Sequence, residues 1–420
     1  MAQLSDDCFA HGGPLMRFDS ALELLTQRLA TVTETESLPL QQTLGRILRQ
    51  DLVSPLDVPP GDNSAVDGYA LRHQDLDSSQ DTRLRLAGRA AAGHPWQQEV
   101  QPGTAVRIFT GAPMPPGADT VMMQEDCKEE NGWVEVRPGI KPGANRRLSG
   151  EDIRTGTTVL PAGRRLSAVD LGQAAAIGQN ELVVSRPLRV GLLSTGDELC
   201  EPGETLAQGQ IYDSNRQVLA GLLQSLGCVV TDLGILKDER TSLAKSLEST
   251  AAQHDLIVTS GGVSGGEEDH VKQAVEQAGG QLHFWRLAIK PGRPVALGQI
   301  ARVPVIGLPG NPAAVVVTFL QLARPLILQL MGGPPQRPPQ FPVTANFSHR
   351  KKKDRREWLR VHITHDQNGF PMAEKFARDG AGILSSLAET DGLAELPEDL
   401  TNLEPGTTLF YTPYSALFHG

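Results

Sequence analysis

The chain has 420 residues, 39% of them hydrophobic and 21% charged, which is ordinary for a globular protein and favours about three domains. Its formal net charge of −10 argues against a general binder of nucleic acid or of membrane surfaces. The four cysteines form no Cys-x-x-Cys pair, which excludes a disulfide framework and a zinc ribbon and suits a reducing cytoplasm.

The N-terminal region combines helix signals with turn signals. Apolar residues recur at helical spacing over 17–30, and Asp19 or Ser20 is the expected N-cap. A second helix is expected over roughly 41–52, before prolines and a glycine at 55–61 end the pattern. The first residues lack the basic start and apolar core of a signal peptide, and no apolar run is long enough to span a bilayer. We therefore expect a cytoplasmic protein.

Residues 56–149 are expected to form a β domain. Glycine and proline turns separate short apolar runs, which predict strands at Arg83–Ala87, Ala105–Phe109, Thr120–Met123 and Trp133–Val136. Strand, turn and helix signals return in the segment that ends at Pro187. The pattern indicates that the β domain is inserted into a discontinuous N-terminal α/β domain made of residues 15–55 and 150–187.

Residues 188–333 alternate strands with helices, which is the pattern of a parallel α/β sandwich. The predicted strands are Arg189–Leu193, Val229–Leu233, Leu256–Thr259 and Val305–Gly307. The predicted helices are Asn215–Leu226, Arg240–Ala252, Asp269–Ala278 and Ala313–Met331. A turn-rich linker at 332–342 follows. Residues 343–420 are predicted to form a small β-barrel-like domain, so the fold class is multidomain α/β plus β.

Three loops rich in glycine and acidic or polar residues follow strands of this central domain, at Ser194–Glu198, Thr259–Asp269 and Leu308–Pro312. Such loops gather at the carboxyl edge of a parallel sheet, where ligands bind. Glycines let backbone N–H groups approach an anion. Two carboxylates about 4 Å apart repel each other by about 4 kcal/mol at an effective dielectric of about 20. Because a divalent cation removes that repulsion, the sequence predicts a site for a phosphorylated ligand and Mg²⁺.

Other segments allow more than one interpretation. TSGGVSGG at 259–266 is neither G-x-G-x-x-G nor a P-loop, which disfavours a nicotinamide dinucleotide site. AIKPGRP at 288–294 holds two cations that are either solvated or in contact with a phosphate or an oxyanion. Pro312 suits the first turn of a helix, so a purely structural role for the LPGNP segment (308–312) stays open. The basic segment 349–357 is most simply a solvated loop.

Seven motifs follow one another along the chain: PLDVPPGDNSAVDGYA, RIFTGAPMPPGADTVMMQE, STGDEL, GQIYDSN, TSGGVSGGEED, AIKPGRP and GLPGNP. With them, nearly the whole chain from about Phe18 resembles the molybdopterin molybdenumtransferase family, the bacterial MoeA proteins and the gephyrin E domain. The resemblance implies an enzyme that inserts molybdate into adenylylated molybdopterin, releases AMP and needs Mg²⁺. It also implies a homodimer in which the Mog-like central domain faces the β domain of the other subunit. Molybdopterin adenylyltransferase and molybdoenzyme-maturation proteins are then candidate partners, whereas nucleic acid and membrane are not.

The same resemblance implies roles for individual residues. The expected catalytic set comprises two residues of the inserted β domain and three acidic residues of the central loops: Asp67, Thr110, Glu198, Asp238 and Asp269. The three central acids, Glu198, Asp238 and Asp269, are also expected to hold Mg²⁺ and the adenylate phosphate. The expected substrate-binding set is Arg147, Asp152, Ser264, Lys290, Arg293, Pro309 and Pro312.

Several positions depart from the family pattern. Leu148 and Ser149 stand where the family often has further arginines, and Ala314 and Ala381 stand where it often has serine. These departures bear on molybdate affinity and anion contacts rather than on the fold. Two alternatives stay open at this point. One is a molybdopterin adenylyltransferase-like enzyme, which resembles residues 188–333 alone, and the other is a non-enzymatic scaffold that uses the same fold.

Overall fold

The structure is a computed structural model that describes residues 15–236, 239–262 and 270–418. It begins with the helix Phe18–Arg28, which forms because its buried residues recur on one face. Arg17 occupies the N-cap position and makes no side-chain capping bond. The expected cap at Asp19 or Ser20 is wrong, because the Asp19 carboxylate instead accepts a hydrogen bond of 2.6 Å from Arg356 in the C-terminal region.

The helix expected over 41–52 is also wrong. The chain makes one 3₁₀ turn at Leu40–Gln42 and a short strand at Leu52–Val53. Gly45 takes a φ of 75°, which ends any helical path, and residues 47–48 form isolated β-bridges. The apolar spacing therefore marks a buried extended segment, which periodicity over so short a run does not distinguish from a helix.

Two antiparallel ribbons join residues on either side of the inserted β region. Thr35–Pro39 pairs with Glu181–Ser185, and Leu52–Val53 pairs with Thr158–Leu160. Between them the helix Ala168–Ala176 starts at a capping box formed by its N-cap serine and an aspartate three residues on. The two ribbons thus connect residues before the inserted region with residues after it. The exact boundaries of the discontinuous N-terminal domain and of the inserted domain stay a prediction.

The inserted region forms a six-stranded sheet, with Asn63–Ser64 and Arg146–Arg147 paired beside it. Two of the expected strands, Thr120–Met123 and Trp133–Val136, have the predicted bounds. Short 3₁₀ turns occur at His73–Asp75 and Gln124–Asp126. In spatial order the strands are Thr120–Met123, Gly68–Leu71, Thr104–Ile108, Thr82–Ala90, Trp133–Val136 and Cys127–Glu130.

A second six-stranded sheet forms the central region. Four neighbouring strands are parallel, as predicted, and two further strands run antiparallel at one side. In spatial order they are Val229–Leu236, Arg189–Thr195, Leu256–Ser260, Val303–Leu308, Pro294–Ile300 and Gly280–Arg286. Leu199–Cys200 and Ile211–Tyr212 form a small separate ribbon.

Helices cover both faces of this central sheet. Leu192 and Leu193, adjacent on one strand, belong to different core clusters, because successive side chains of a strand point to opposite faces. The helices are Ser214–Ser225, Arg240–Gln253, His270–Gln277, Pro312–Thr318 and Arg324–Leu330, with a π-helical turn at Phe319–Ala323 between the last two. The predicted α/β sandwich is confirmed.

The C-terminal region closes into a barrel, as predicted. Five strands form a ring in which Arg356–His365 pairs with both neighbours that close it. The ring order is Arg356–His365, Pro371–Lys375, Phe341–Ala345, Thr408–Pro413 and Gly392–Leu396. Smaller elements are the ribbon His349–Arg350 with Asn402–Leu403 and the helices Ser385–Ala388 and Ser415–Phe418. Ile289–Lys290 of the central region pairs in parallel with Arg356–Glu357, which attaches the barrel to the central sheet.

The helical run Pro312–Leu330 corrects the expectation that no apolar run has the length to span a bilayer. The run has 19 residues, and an 18-residue window within it has a mean hydropathy of 1.7, but 94% of that window is buried inside the fold. It packs in the largest core cluster together with the N-terminal helix and the central strands. Its apolar character therefore serves the core of the protein.

Candidate active site

The acidic loop and the glycine loop meet at the carboxyl edge of the central sheet. Their strands are parallel neighbours in register, with Ser194 beside Ser260. A Cβ atom on Gly261 would lie 2.5 Å from the Thr195 carbonyl oxygen, and one on Gly262 would lie 2.9 Å from the Thr195 hydroxyl oxygen. Both glycines have positive φ, of 90° and 63°. The glycines are therefore required for the close contact between the two loops.

We predict that Gly261→Ala destabilises the protein by about 1–3 kcal/mol, because alanine is strained at this φ and its methyl group collides with backbone. Gly221→Ala is the matched control. Gly221 lies inside the helix Ser214–Ser225, has no atom within 4 Å of an added Cβ, and should stabilise by about 0.8–1 kcal/mol. Urea unfolding of both variants checks the opposite signs. A Gly261→Ala protein as stable as wild type would contradict the close loop contact.

Asn215 ties the remaining loops of this edge together. Its Nδ2 donates to the Ser260 hydroxyl at 3.0 Å and to the Gly310 carbonyl at 2.7 Å. On the far side of the LPGNP loop, the Ala313 N–H donates to the Ala381 carbonyl of the barrel at 2.8 Å. The LPGNP loop thus lies between the glycine loop and the barrel. Pro312 is in the first turn of the following helix, as predicted.

One side of this edge is acidic. Asp197, Glu201, Glu204 and Glu239 line a cavity of about 610 Å³, which we call the Glu201 cavity. Glu198 is exposed beside it, with its Oε2 2.6 Å from the place of a Cβ on Gly196. No group of three potential metal ligands occurs within the described ranges. The carboxylates present have the chemistry that Mg²⁺ prefers, and the magnesium site stays a prediction.

A buried arginine stabilises the acidic side. The Arg216 side chain is 4% exposed and forms ion pairs with three carboxylates. Its Nε lies 3.0 Å from Asp213 Oδ2, and its two terminal nitrogens contact Asp232 and Glu201. The guanidinium therefore links the helix start, the neighbouring strand and the wall of the Glu201 cavity. It also offsets part of the negative charge that gathers there.

The other side of the LPGNP loop is cationic. Lys290, Arg360 and Lys375 line a small cavity of about 100 Å³ between the central sheet and the barrel, which we call the Lys290 cavity. Arg360 is buried, and its Nη2 donates to the Gly380 carbonyl at 3.1 Å. Its Nε has no hydrogen-bond partner in the part of the chain that the structure describes. Burial lowers the pKa of Arg360 from its ordinary high value. A buried donor without a partner at a cavity suits an oxyanion.

Glu357 is the fully buried counter-charge of this cavity. Its carboxylate accepts from Lys290 Nζ at 3.5 Å and from Arg355 Nε at 3.1 Å, and lies 3.2 Å from His349 Nε2. Burial alone would raise the pKa of Glu357, but the hydrogen bonds from Arg355 and His349 and the charge of Lys290 hold that pKa below its usual value. The acid is therefore ionised at neutral pH and fixes the position of Lys290.

Lys290 and Arg293 do not line the same cavity. Arg293 lies in a separate cavity of about 410 Å³ together with Leu15, Arg17 and residues 352–355, which we call the Arg293 cavity. Because Gly292, with a φ of 94°, sits between them in the turn, the two cations face different surroundings. The expectation that both contact one anion receives no support from this placement.

The two predicted residues of the inserted domain are in direct contact. Asp67 accepts from the Thr110 backbone N–H at 2.8 Å and from its hydroxyl at 2.9 Å. These hydrogen bonds hold the pKa of Asp67 below its ordinary value. Arg147 is exposed on the ribbon with Asn63–Ser64, and the Asp152 N–H donates to the Val58 carbonyl at 3.0 Å. The remaining predicted residues, Asp238, Ser264 and Asp269, lie outside the described residues.

Comparison with known proteins gives matches along the whole chain. The MoeA N-terminal region (domain I and II) matches residues 16–178, a probable molybdopterin binding domain matches 191–329, and the MoeA C-terminal region (domain IV) matches 342–414. A Haemophilus influenzae protein named molybdopterin molybdenumtransferase is 39% identical over 96% of this chain and 100% of its own length. The chain belongs to the molybdopterin molybdenumtransferase family. The resemblance inferred from the motifs is confirmed.

Further relatives agree with this family assignment. A Nostoc protein of the same name is 37% identical over 91% of this chain and 89% of its own. A solved structure of the molybdopterin biosynthesis moeA protein from Pyrococcus horikoshii superposes with a TM-score of 0.81 at 28% identity, over 96% of this chain and 100% of that one. A second structure from the same source has a TM-score of 0.75 at 31% identity, over 97% and 100%.

The structure also locates the departures from the family pattern. Ala381 lines the Lys290 cavity, and Ala314 is buried in the helix that follows the LPGNP loop. Leu148 is 48% exposed, and the Ser149 hydroxyl donates to Asp57 at 3.3 Å. Thus only Ala381 stands directly at one of the three cavities. Because alanine has no hydroxyl group, an anion at this position can contact only the neighbouring cations and not a serine side chain.

Three site residues of this family member were not predicted from the motifs: Asn215, Glu357 and Arg360. Asn215 lies within the GQIYDSN motif and in the first turn of the helix Ser214–Ser225, a place that the sequence predicted without giving the side chain a role. Arg360 and Glu357 lie on one barrel strand with Arg356, and the first five residues of that strand include three charges. Charged residues on a strand whose first six positions are all buried are the sequence signal that could have identified them.

Proposed function

We propose that the protein inserts molybdate into adenylylated molybdopterin and releases AMP, with Mg²⁺ at the acidic loops, as a cytoplasmic homodimer. The observation that carries this proposal is the pairing of an acidic and a cationic side around the LPGNP loop, joined through Asn215 and Ala381. A phosphate that shares Mg²⁺ with carboxylates suits the acidic side, and a tetrahedral oxyanion suits the cationic side.

The cationic side supports molybdate binding. Lys290 supplies a compact charge that pairs with Glu357, and Arg360 offers a planar fork with one buried nitrogen that has no partner among the residues the structure describes. Lys375 adds a third cation, although it also donates to Asp379 at 2.9 Å. These donors are held before the ligand arrives, so an oxyanion binds without much reorganisation of the protein. The net charge of −10 makes such local cations necessary for an anionic substrate.

The acidic side supports the cleavage of the phosphoanhydride. Glu198, with the predicted partners Asp238 and Asp269, would hold Mg²⁺, which supplies Lewis-acid stabilisation of phosphate charge when bound. In the proposed cleavage, a molybdate oxygen or a water oxygen bonds to the pterin-side phosphorus of the phosphoanhydride. The bond from that phosphorus to the bridging oxygen breaks, and AMP leaves with the bridging oxygen and its electron pair. Where water attacks, its proton passes to solvent. The chain contributes positioning: the loop glycines let the glycine loop contact the acidic loop, and Asn215 joins the glycine loop to the LPGNP loop. Closely held loops keep the reacting groups in place.

Glu198→Gln tests the acidic side of the proposal. We expect AMP release to fall at least a hundredfold, about the effect of losing one strong electrostatic contact in a transition state. Glu135→Gln is the matched control, since Glu135 is an exposed glutamate on a strand of the inserted domain. Chelation of divalent ions should abolish release in wild type, and added Mg²⁺ should restore it. Full AMP release by the Glu198→Gln protein would contradict the assignment of Glu198 to a Mg²⁺ site.

A second assay, with ATP and molybdopterin as substrates, separates this function from its alternatives. Incubation with ATP and metal-free molybdopterin would yield adenylylated pterin if the protein were an adenylyltransferase-like enzyme, whereas our proposal predicts none. The matches at residues 16–178 and 342–414 favour the proposal, because an enzyme resembling the central domain alone lacks both regions. A scaffold would show neither activity.

A further inference from the structure

The Arg293 cavity concentrates positive charge in an acidic protein. Arg17, Arg293, Lys352, Lys353 and Arg355 line it, against one carboxylate, that of Asp354. Across residues 15–236, 239–262 and 270–418, no carboxylate pairs with the side chains of Arg17, Arg293, Lys352 or Lys353. Such like charges repel one another, and the protein offers little to offset them.

The basic segment 349–357 separates its cations into two groups. The inner group is held by contacts within the protein: Arg356 pairs with Asp19 at 2.6 Å and with Glu398 at 3.1 Å, and Lys351 donates to the Glu398 backbone carbonyl at 3.1 Å. The outer group, Lys352 and Lys353, is exposed and faces the cavity. The segment is therefore not a uniformly solvated loop, because its fold brings two lysines to the same concave surface as two distant arginines.

We propose that the Arg293 cavity binds a phosphate-bearing small molecule that carries at least two negative charges. The volume of about 410 Å³ lies within the usual range of small-molecule sites. Arginine forks and lysine ammonium groups from three separate parts of the chain bind phosphate oxygens well. Apart from Leu15, the lining consists of charged residues, which favours a polar ligand over an apolar one. This inference does not depend on the proposed reaction.

Glu357 places this site next to the Lys290 cavity. Its Oε1 accepts from Arg355, which lines the Arg293 cavity, and its Oε2 accepts from Lys290. One buried carboxylate thus separates two cationic cavities, and both cavities remain cationic because each has further cations. The two sites share a wall but not their ligand-facing side chains, so they are separable by mutation.

Calorimetric titration with pyrophosphate tests the proposal. We expect saturable binding that weakens at higher salt, and a loss of at least tenfold in affinity in the Lys352→Ala/Lys353→Ala protein. Lys128→Ala/Lys141→Ala is the matched control, since it removes two exposed lysines from the inserted domain. It should leave the affinity within twofold of wild type. Titration in an Arg360→Gln background weakens any contribution of the Lys290 cavity, and the binding should persist there.

Three results would overturn the proposal. The first is unchanged pyrophosphate affinity in the Lys352→Ala/Lys353→Ala protein, and the second is an equal loss in both double variants, which indicates non-specific attraction. The third is tighter binding of a hexaglutamate peptide than of pyrophosphate, which would assign the surface to an acidic protein segment. None of these results depends on AMP release, so failure here and failure of the proposed reaction are distinguishable.

Discussion

Arg360→Gln should reduce molybdate-dependent product formation at least a hundredfold, mainly through a higher KM for molybdate. The residue is buried at the Lys290 cavity, donates to the Gly380 carbonyl and keeps one nitrogen without a partner among the described residues. Removal of one partner from a buried, hydrogen-bonded charge pair typically costs about 2–5 kcal/mol of binding free energy, a factor of about 30 to several thousand in affinity. Glutamine lacks both the charge and the planar fork of arginine, so the anion would lose one of the cations that bind it and would still contact Lys290.

Arg165→Gln is the matched control for Arg360→Gln. Arg165 is another largely buried arginine that donates to backbone carbonyls, at 3.1 Å to Gly45 and 2.8 Å to Ser225, and burial lowers its pKa as well. Both variants should lose stability to a similar extent, but only Arg360→Gln should change the KM for molybdate. Arg360→Lys keeps the charge without the planar fork, so its KM for molybdate should lie between those of wild type and Arg360→Gln. An unchanged KM in Arg360→Gln would remove the Lys290 cavity from the proposed reaction.

Three of the four predicted strands of the central sheet were predictable because they are buried on both faces, whereas the edge strand Val229–Leu236 is only partly buried. Their sequences are continuous apolar runs between turns, and parallel α/β sheets require such runs. All four predicted central strands lie within the observed ones, extended by one to three residues. The antiparallel strands Gly280–Arg286 and Pro294–Ile300 were not predicted. They flank the AIKPGRP turn, whose proline and glycine suggested a loop rather than the end of a hairpin.

Parts of the site could not be predicted because they depend on contacts between regions distant in sequence. Lys290 and Arg293 are three residues apart, yet they line different cavities, which Glu357 of the barrel strand separates through its ion pairs with Lys290 and Arg355. Arg360 acquires its place only when the barrel docks against the central sheet through Ile289–Lys290. Local sequence patterns predicted which loops carry charge. They did not specify which charges share a cavity, because that depends on the packing of the barrel.

The N-terminal errors have the same origin. Aspartate is a preferred N-cap residue, but the carboxylate of Asp19 forms ion pairs with Arg337 and Arg356 and does not cap the helix. These pairs join the first helix to the linker and the barrel. The segment 41–52 has apolar residues at helical spacing, but it is held extended by contacts to residues beyond 160. Tertiary contacts overrode local propensity in both cases.

Mixing an Asp67→Ala protein with a Glu198→Gln protein should restore activity that neither has alone. We propose that Asp67 and Thr110 act in the cleft of the partner subunit, across a symmetric dimer. Asp67 is bound to Thr110 within the inserted domain and its pKa is held low, so an ionised carboxylate is available on that domain. Glu198 belongs to the edge of the central sheet. If each active site takes one residue from each chain, a mixed dimer has one intact site and one doubly defective site.

The expected size of the effect is set by counting sites. Random pairing makes about half of the dimers mixed, each with one intact site of two, so the mixture should reach about a quarter of wild-type AMP release. Differently tagged chains, co-expressed and purified through both tags, would raise this to about half. The control pairs Asp67→Ala with Thr110→Val. Both residues lie on the inserted domain, so each active site of the mixed dimer receives one defective inserted domain and neither site is intact. Doubly tagged dimers of the first pair that stay as inactive as their parents would show that Asp67 and Glu198 act within one chain, or not in one site at all.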